Sequence, residues 1–425
     1  MSAPKGIGNA KLSTGTRAFR AASVVTPYRQ ALHSRPFRRL LAGYGISALG
    51  DGAGYVAVAW LAASIVPVAQ RPYVVGLALA AYILPGALVG LGAGRRTHRM
   101  DPRALIAIDA GTRMLALGAV SVLAWTGRLG LVAYILLLAG SSVFRTLGLG
   151  GFVGLVPTYV AREHRFAANS AVEAMSTLSL TVVGPGLGGL GVAAFGAPAV
   201  IAIDVATFAV LLAAVATVPG RAVSDVAGSE PASAARHGLR ILLSRPALAW
   251  LLALTLVFYG LYGPVETALP ILVQRDLHGG PGLLGLIWAA FGTGALVGGL
   301  VAGTRRITNL RRFALTIVGA WGVALLVVAM TAQPVVVLLG IAMGGLVYAP
   351  YPAAATTFLQ QELSDGELTA GAVAWHGVSS GVVPLGTALG GPLIALLGPR
   401  STLAASAIAT VLLAAVFTVF IRQRQ

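Results

Sequence analysis

Apolar residues run along this chain in twelve blocks separated by short polar breaks. The blocks fall near residues 40–68, 72–94, 104–126, 129–157, 167–196, 198–218, 247–273, 282–303, 313–332, 334–358, 368–397 and 401–421. We number them spans one to twelve. A helix needs roughly 20 residues to cross the hydrocarbon core of a bilayer, and somewhat more when tilted. Each block meets that length, so the pattern predicts an all-α polytopic membrane protein. Only residues 1–39 and about 220–245 form hydrophilic stretches of any length, and neither could build a sizeable soluble core. The first apolar run starts near Leu40, too late and too long for a cleavable signal peptide.

Composition agrees with the pattern. Only 10% of the 425 residues are charged, against roughly a quarter in a soluble domain. The 55 glycines fit membrane helices, where small residues let backbones approach closely. The absence of cysteine excludes disulfides, thiolate metal sites and cysteine nucleophiles. A net charge of +17 taken alone would point to nucleic acid. Its distribution points elsewhere. If the spans alternate in direction, 24 Lys and Arg fall on one side and 4 on the other, with Arg113 and Arg145 inside spans. That asymmetry predicts both termini in the cytoplasm of a multi-pass plasma-membrane protein and leaves no role for nucleic acid.

Internal repeats then set the organisation. Gly86-Ala-Leu-Val-Gly90 in span two matches Gly294-Ala-Leu-Val-Gly298 in span eight, and each precedes an arginine pair. In spans five and eleven, Gly184, Gly188, Gly189 and Gly196 match Gly386, Gly390, Gly391 and Gly398 at an offset of 202. Two ordered pairs with similar offsets indicate a duplicated six-span half. The expected units are a basic tail (1–36), a six-helix bundle (37–219), a linker (220–245), a second six-helix bundle (246–421) and a short tail (422–425). Two parallel six-span halves place a substrate cavity between them near the midplane.

Over residues 37–421 the chain resembles the major facilitator superfamily. Phe37-Arg-Arg-Leu with Leu49-Gly50-Asp51 is similar to the opening of its macrolide-efflux-like branch. Gly184-Pro185-Gly186-Leu187-Gly188-Gly189 resembles the antiporter motif of drug–proton exchangers. The loop after span two, His98-Arg99-Met100-Asp101-Pro102-Arg103, is similar to the family's gating loop, with His98 replacing its first acid. The resemblance implies a monomeric major facilitator fold that exchanges small molecules for protons. It also implies proton handling at Arg145, by its depth in span four.

Five of the 13 acids lie inside spans: Asp51, Asp109, Glu173, Asp204 and Glu266. A charge at the bilayer centre costs at least ~2.5–3.5 kcal/mol, so these groups must pair, face a cavity or change protonation. Asp51 sits 12 residues past Arg39, roughly 18 Å into the membrane at the helical rise, with no partner at helical spacing in its own span. It is a candidate for proton coupling or for a hydrogen bond to a neighbouring helix. Glu266 follows Pro264, which frees backbone carbonyls, and is a candidate for holding a proton or a cationic substrate. Asp109 and Arg113, four apart on one face, are expected to pair, with Asp204 extending a structural network. Glu173 and His376 occupy nearly matching places in the repeat, and His376 is either a proton relay or an interfacial histidine. Pro185 with Gly184, Gly188 and Gly189 forms either a hinge or a tight helix crossing. Tyr55, Tyr259, Tyr262, Tyr348, Tyr351 and Trp375 are expected to be cavity aromatics.

No Walker loop, His-Glu-x-x-His or Gly-x-Ser-x-Gly is present, and six histidines form no metal-ligand cluster. We therefore expect no enzyme and no cofactor. The expected function is a secondary transporter that exports small amphipathic or cationic molecules, drugs and antibiotics among them, in exchange for protons. Alternatives are export of an endogenous metabolite such as a siderophore or antibiotic, a lipid flippase, or a non-transporting membrane receptor or assembly factor.

Overall fold

The computed structural model describes residues 29–92, 100–219, 231–304 and 307–423. Twelve helices among them are long and apolar enough to cross a membrane. They are Arg35–Ser64, Val68–Val89, Pro102–Trp125, Leu131–Leu149, Arg162–Phe195, Ala197–Ala216, Pro246–Arg275, Pro281–Gly303, Leu310–Met330, Pro334–Glu362, Ala370–Leu397 and Pro399–Val419, spans one to twelve in order. No strand occurs among the described residues. Large apolar side chains stay exposed on the outside, Leu115, Leu136, Met330 and Leu396 among them, as a lipid-facing surface requires.

Local chemistry sets the helix ends. Ser34 accepts from the Phe37 amide, Asp101 from Arg103 and Asn309 from Arg312, each meeting a donor that the first turn leaves free. Proline opens spans seven, eight, ten and twelve. Spans five and eleven end at Gly196 (φ 83°) and Gly398 (φ 82°), where a side chain would be strained. These two glycines are one of the matched pairs in the sequence repeat, so the duplication extends to backbone conformation.

The packing is duplicated too. Span one packs on five and six, and span seven on eleven and twelve. Span three packs on six, and nine on twelve. The two principal contacts between halves, span two on eleven and span five on eight, exchange under a six-span shift. We call the side bearing most Lys and Arg the basic face and the other the far face. Near the far face the halves meet backbone to backbone. A Cβ added to Gly189 would come within 2.7 Å of Gly285 Cα, and one on Gly391 within 2.8 Å of Pro72 O. Arg71 also donates across the halves to Gln274 (3.2 Å).

On the basic face, the linker contains a helix, Pro231–Ser244, that packs along span eleven. It is amphipathic. Ile241 and Leu242 are buried against Phe358, Leu359 and Trp375, while His237 and Arg240 face outward. Just past its end, Arg245 binds Glu367 through both carboxylate oxygens (2.8 Å each) and donates to the Glu362 carbonyl. Glu367 in turn completes the capping box of Ser364. Arg103 binds Asp101 (2.8 Å) and donates to Val218 O (3.0 Å), tying the start of span three to the end of span six. His98 and Arg99 of the expected gating loop lie outside the described residues.

Asp101 and Glu367 stand outside the spans. Hydrogen bonds from Arg103 and from Ser364, respectively, hold their carboxyls below the usual range. A carboxylate depressed by folding adds stability above its unfolded pKa, about 4, and loses it as pH falls through the folded value. The melting temperature of the purified protein should therefore drop below pH about 4. That acid limb should be shallower in the double variant Asp101→Asn, Glu367→Gln, and an unchanged limb in thermal scans would remove these groups from the account.

Candidate functional site

The intramembrane charges gather in the first half. Arg113 of span three forms a two-pronged ion pair with Asp51 of span one, Nη1 lying 3.1 Å from Oδ2 and Nη2 bonding Oδ1. Tyr82 of span two joins it, accepting from Arg113 (3.2 Å) and donating to Asp51 (3.4 Å). The guanidinium lies over the Phe208 ring of span six, 4.3 Å from its centroid. Four helices thus converge on one buried charge pair. A fork-shaped donor on a carboxylate returns much of what burying two charges costs.

This corrects the pairing expected within span three. Arg113 turns away from Asp109 toward the neighbouring helix, and Asp109 Oδ1 is buried without a hydrogen-bond partner. The reason is geometric: Asp51 offers both oxygens, whereas the Asp109 carboxylate is packed against Gly148 of span four. Asp51 likewise has a partner, supplied by a neighbouring helix. Asp204 is 1% exposed, accepts from Thr207 (3.4 Å) and fills the groove left by Gly50 and Gly54. A small cavity of about 190 Å³ lies among Asp51, Asp109, Arg113 and Arg145.

Arg145 stands apart. Span four breaks at Val143–Phe144, and a new helix, Arg145–Tyr159, starts there. The break puts the Arg145 side chain on the wall shared by the small cavity and a larger one. Its guanidinium stacks over Tyr82, 5.3 Å from the centroid. The larger cavity, about 730 Å³, lies between spans two and four of the first half and spans seven, ten and eleven of the second. Its volume falls in the range of small-molecule sites. His376, Trp375 and Tyr259 line it with the hydroxyls of Thr146, Thr356, Ser379 and Ser380. Most of these positions lie toward the basic-face ends of their spans.

Glu266 sits past the inner end of this cavity and links the two halves. Tyr55 of span one donates to its Oε2 (3.1 Å), and Thr387 of span eleven lies 3.3 Å from the same oxygen. Trp288 packs edge-on against Tyr55 (5.7 Å). Glu173 is exposed on span five. Four of the expected cavity aromatics do not line it: Tyr55 sits on Glu266 past its inner end, and the other three lie inside the second half. Tyr262 stacks on Tyr348 (5.3 Å), Tyr351 bonds Thr255 (2.7 Å), and all three belong to an aromatic cluster inside the second half with Phe258 and Trp321. The paired prolines Pro350 and Pro352 restart a helix after Ala349.

The glycine motif of span five has split roles. Gly184 and Gly188 press on span one at Leu49, Gly52 and Ala53, within the first half. Gly189 presses on span eight, across the halves. Just before Pro185 the helix widens into a π-turn, Thr177–Val183. Proline cannot donate and crowds the preceding turn, and a π-turn relieves that. Hydropathy gave no signal for this turn. Nor did it for Tyr82 or Gln274, whose roles depend on helix neighbours far apart in sequence.

Comparison with known proteins gives three findings. A family model described as transmembrane secretion effector, of the major facilitator superfamily, matches residues 22–356. The multidrug efflux pump Tap of Mycolicibacterium fortuitum is 29% identical over 390 residues, covering 88% of this chain and 93% of the pump. Tap of Mycobacterium tuberculosis is 27% identical over 376 residues, covering 85% and 88%. Among solved structures, the POT family transporter PepTSo aligns with a TM-score of 0.68 at 10% identity, covering 92% of this chain and 98% of that one. A bacterial homologue of the human lysosomal transporter Spinster, in an inward-facing and unoccupied conformation, aligns with a TM-score of 0.67 at 13% identity, covering 93% and 96%. These likenesses in shape show the fold.

Breaking the buried pair from one side should be costly. Arg113→Leu leaves Asp51 without its ion-pair partner and should lose about 3–5 kcal/mol. The double variant Asp51→Asn, Arg113→Leu should recover most of that. Unfolding of this double variant and of the single variants Arg113→Leu and Asp51→Asn measures it, and additive losses would deny any coupling between the two residues.

Proposed function

This chain belongs to the major facilitator superfamily, in its transmembrane secretion effector family, and from that premise we propose that it exports small amphipathic molecules in exchange for protons. The observation that carries the proposal is the cavity between the halves. It is of substrate size, lies toward the basic face, and is shut off from the far face by backbone contacts and by the Tyr55–Glu266 bond. The positive-inside rule makes the basic face cytoplasmic. Substrate then enters from the cytoplasm and leaves when the halves rock the other way. The relatives named multidrug efflux pump support the same direction and the same kind of cargo.

Glu266 supplies the coupling in this reading. With the far face closed, its carboxylate accepts from Tyr55 across the halves. Opening the far face pulls span one from span seven and breaks that bond. The carboxylate then meets the outer solution and takes up a proton there. Closing returns Tyr55, and the proton leaves toward the cytoplasm. Asp51 holds Arg113 throughout and shapes the first half, while Arg145 and His376 face the cavity. The lipid bilayer, the substrate and protons are the partners, and a single chain contains every element the cycle uses.

Everted membrane vesicles test this directly. An acid-interior gradient should drive uptake of amphipathic antibiotics or dyes, and Glu266→Gln should cut that uptake at least tenfold. Absence of gradient-driven uptake, or normal transport by Glu266→Gln, would falsify the coupling. A second prediction concerns closure. In Gly189→Val the new side chain meets Gly285 Cα and Pro281 O, so spans five and eight cannot close. Transport should fall at least tenfold. A cysteine at position 267, covered by Gly76 in the closed form, should become labelled from the far face. The cysteine-free chain makes that probe unique.

A further inference from the structure

The chemistry of the larger cavity goes further than its size. Glu266 is the expected holder of a cationic substrate and Asp51 the other expected coupling acid, and neither lines this space. Asp51 is committed to Arg113, and Glu266 is held by Tyr55 past the inner end of the cavity. Among the described residues that line it, no carboxylate occurs. The ionisable groups there are Arg145 on the first half and His376 on the second, apart from the Tyr259 phenol. Arg145 makes no ion pair among the described residues; Asp109 shares the small cavity with it but lies beyond ion-pairing distance. A guanidinium that stacks on one ring and keeps its donors free is matched to an anion with two acceptor oxygens.

We infer that this cavity takes amphipathic anions, with the carboxylate or other acidic group of the substrate on Arg145 and its apolar body against Trp375 and Tyr259. Across the cavity His376 is the second donor, and Ser379 and Ser380 complete the polar rim. The inference rests on reading the cavity as the substrate site, and it names the class of molecule that site prefers. It is independent of proton coupling, because it concerns binding alone.

The test uses three probes with one aromatic body: 1-pyrenebutyrate, 1-pyrenebutylamine and 1-pyrenebutanol. Binding to the full chain in nanodiscs of zwitterionic lipid is read by tryptophan-to-pyrene energy transfer, without any pH gradient. The carboxylate should bind at least tenfold tighter than the amine. Arg145→Gln should lower the carboxylate-to-alcohol affinity ratio about tenfold, and Arg145→Lys, which keeps the charge, should restore part of it. The alcohol reports whether each variant is folded and its cavity intact. Equal or tighter binding of the amine, or an unchanged ratio in Arg145→Gln, would overturn the inference. So would loss of carboxylate binding on adding phosphatidylglycerol, which would assign the Arg145 site to a lipid headgroup. Failure of gradient-driven uptake in vesicles, with the anion preference intact, would instead sink proton coupling and leave this site standing.

Discussion

Inside a bilayer a charged group has no water to turn to, so every buried ion must be answered by the protein itself. The Asp51–Arg113 pair is where this chain meets that demand most fully. Span one supplies the acid, span three the base, span two the bridging phenol and span six the ring beneath the guanidinium. Helices that must deliver four side chains to one point have little freedom in rotation or depth. The pair therefore fixes the register of the first half, and the glycine groove that receives Asp204 follows from that register.

A rigid half is what rocking requires. In the proposed cycle the contacts that open are of a different kind from those that hold. Within the first half, spans meet through an ion pair and through glycine faces pressed on Leu49, Gly52 and Ala53. Between halves, the far-face contacts are close but light: backbone against backbone at Gly189–Gly285 and Gly391–Pro72, and two hydrogen bonds, Arg71–Gln274 and Tyr55–Glu266. In lipid such packing gains mainly dispersion, without the hydrophobic drive that would lock it in water. Separation there costs little and leaves few polar groups stranded.

Most of the fold was legible in the sequence. Span number, the duplicated six-span half and the glycine motif all follow from patterns that lipid imposes along one chain. Partner choice was not. Asp109 and Arg113 sit at ideal helical spacing, and that local rule gave the wrong pair because Asp51, 62 residues from Arg113, offers better geometry from the next helix. Tyr348 and Tyr351, expected in the cavity, lie beside the helix-breaking prolines Pro350 and Pro352. Proline alone does not say which way a broken helix turns, and both rings face the interior of the second half. Tyr55 was read for its ring, whereas its hydroxyl, bonded across the halves to Glu266, is what engages the rest of the structure.

Duplication gave the two halves one scaffold, and divergence gave them different interiors. The first half carries its charges in the middle: Asp51, Asp109, Arg113, Arg145 and Asp204. The second carries rings in the corresponding layer, Tyr259, Tyr262, Trp321, Tyr348 and Tyr351. The broken spans four and ten are equivalents in the repeat. One break presents Arg145 to the cavity and the other draws Tyr348 and Tyr351 away from it. A space built between such halves has a wall carrying Arg145 facing one of rings, hydroxyls and His376. It can hold a molecule only by engaging both walls, which disfavours purely polar and purely apolar ligands alike. In the proposed reading, amphipathic cargo follows from how the two copies diverged, and the Arg145 charge on the first wall sets the sign of its polar end.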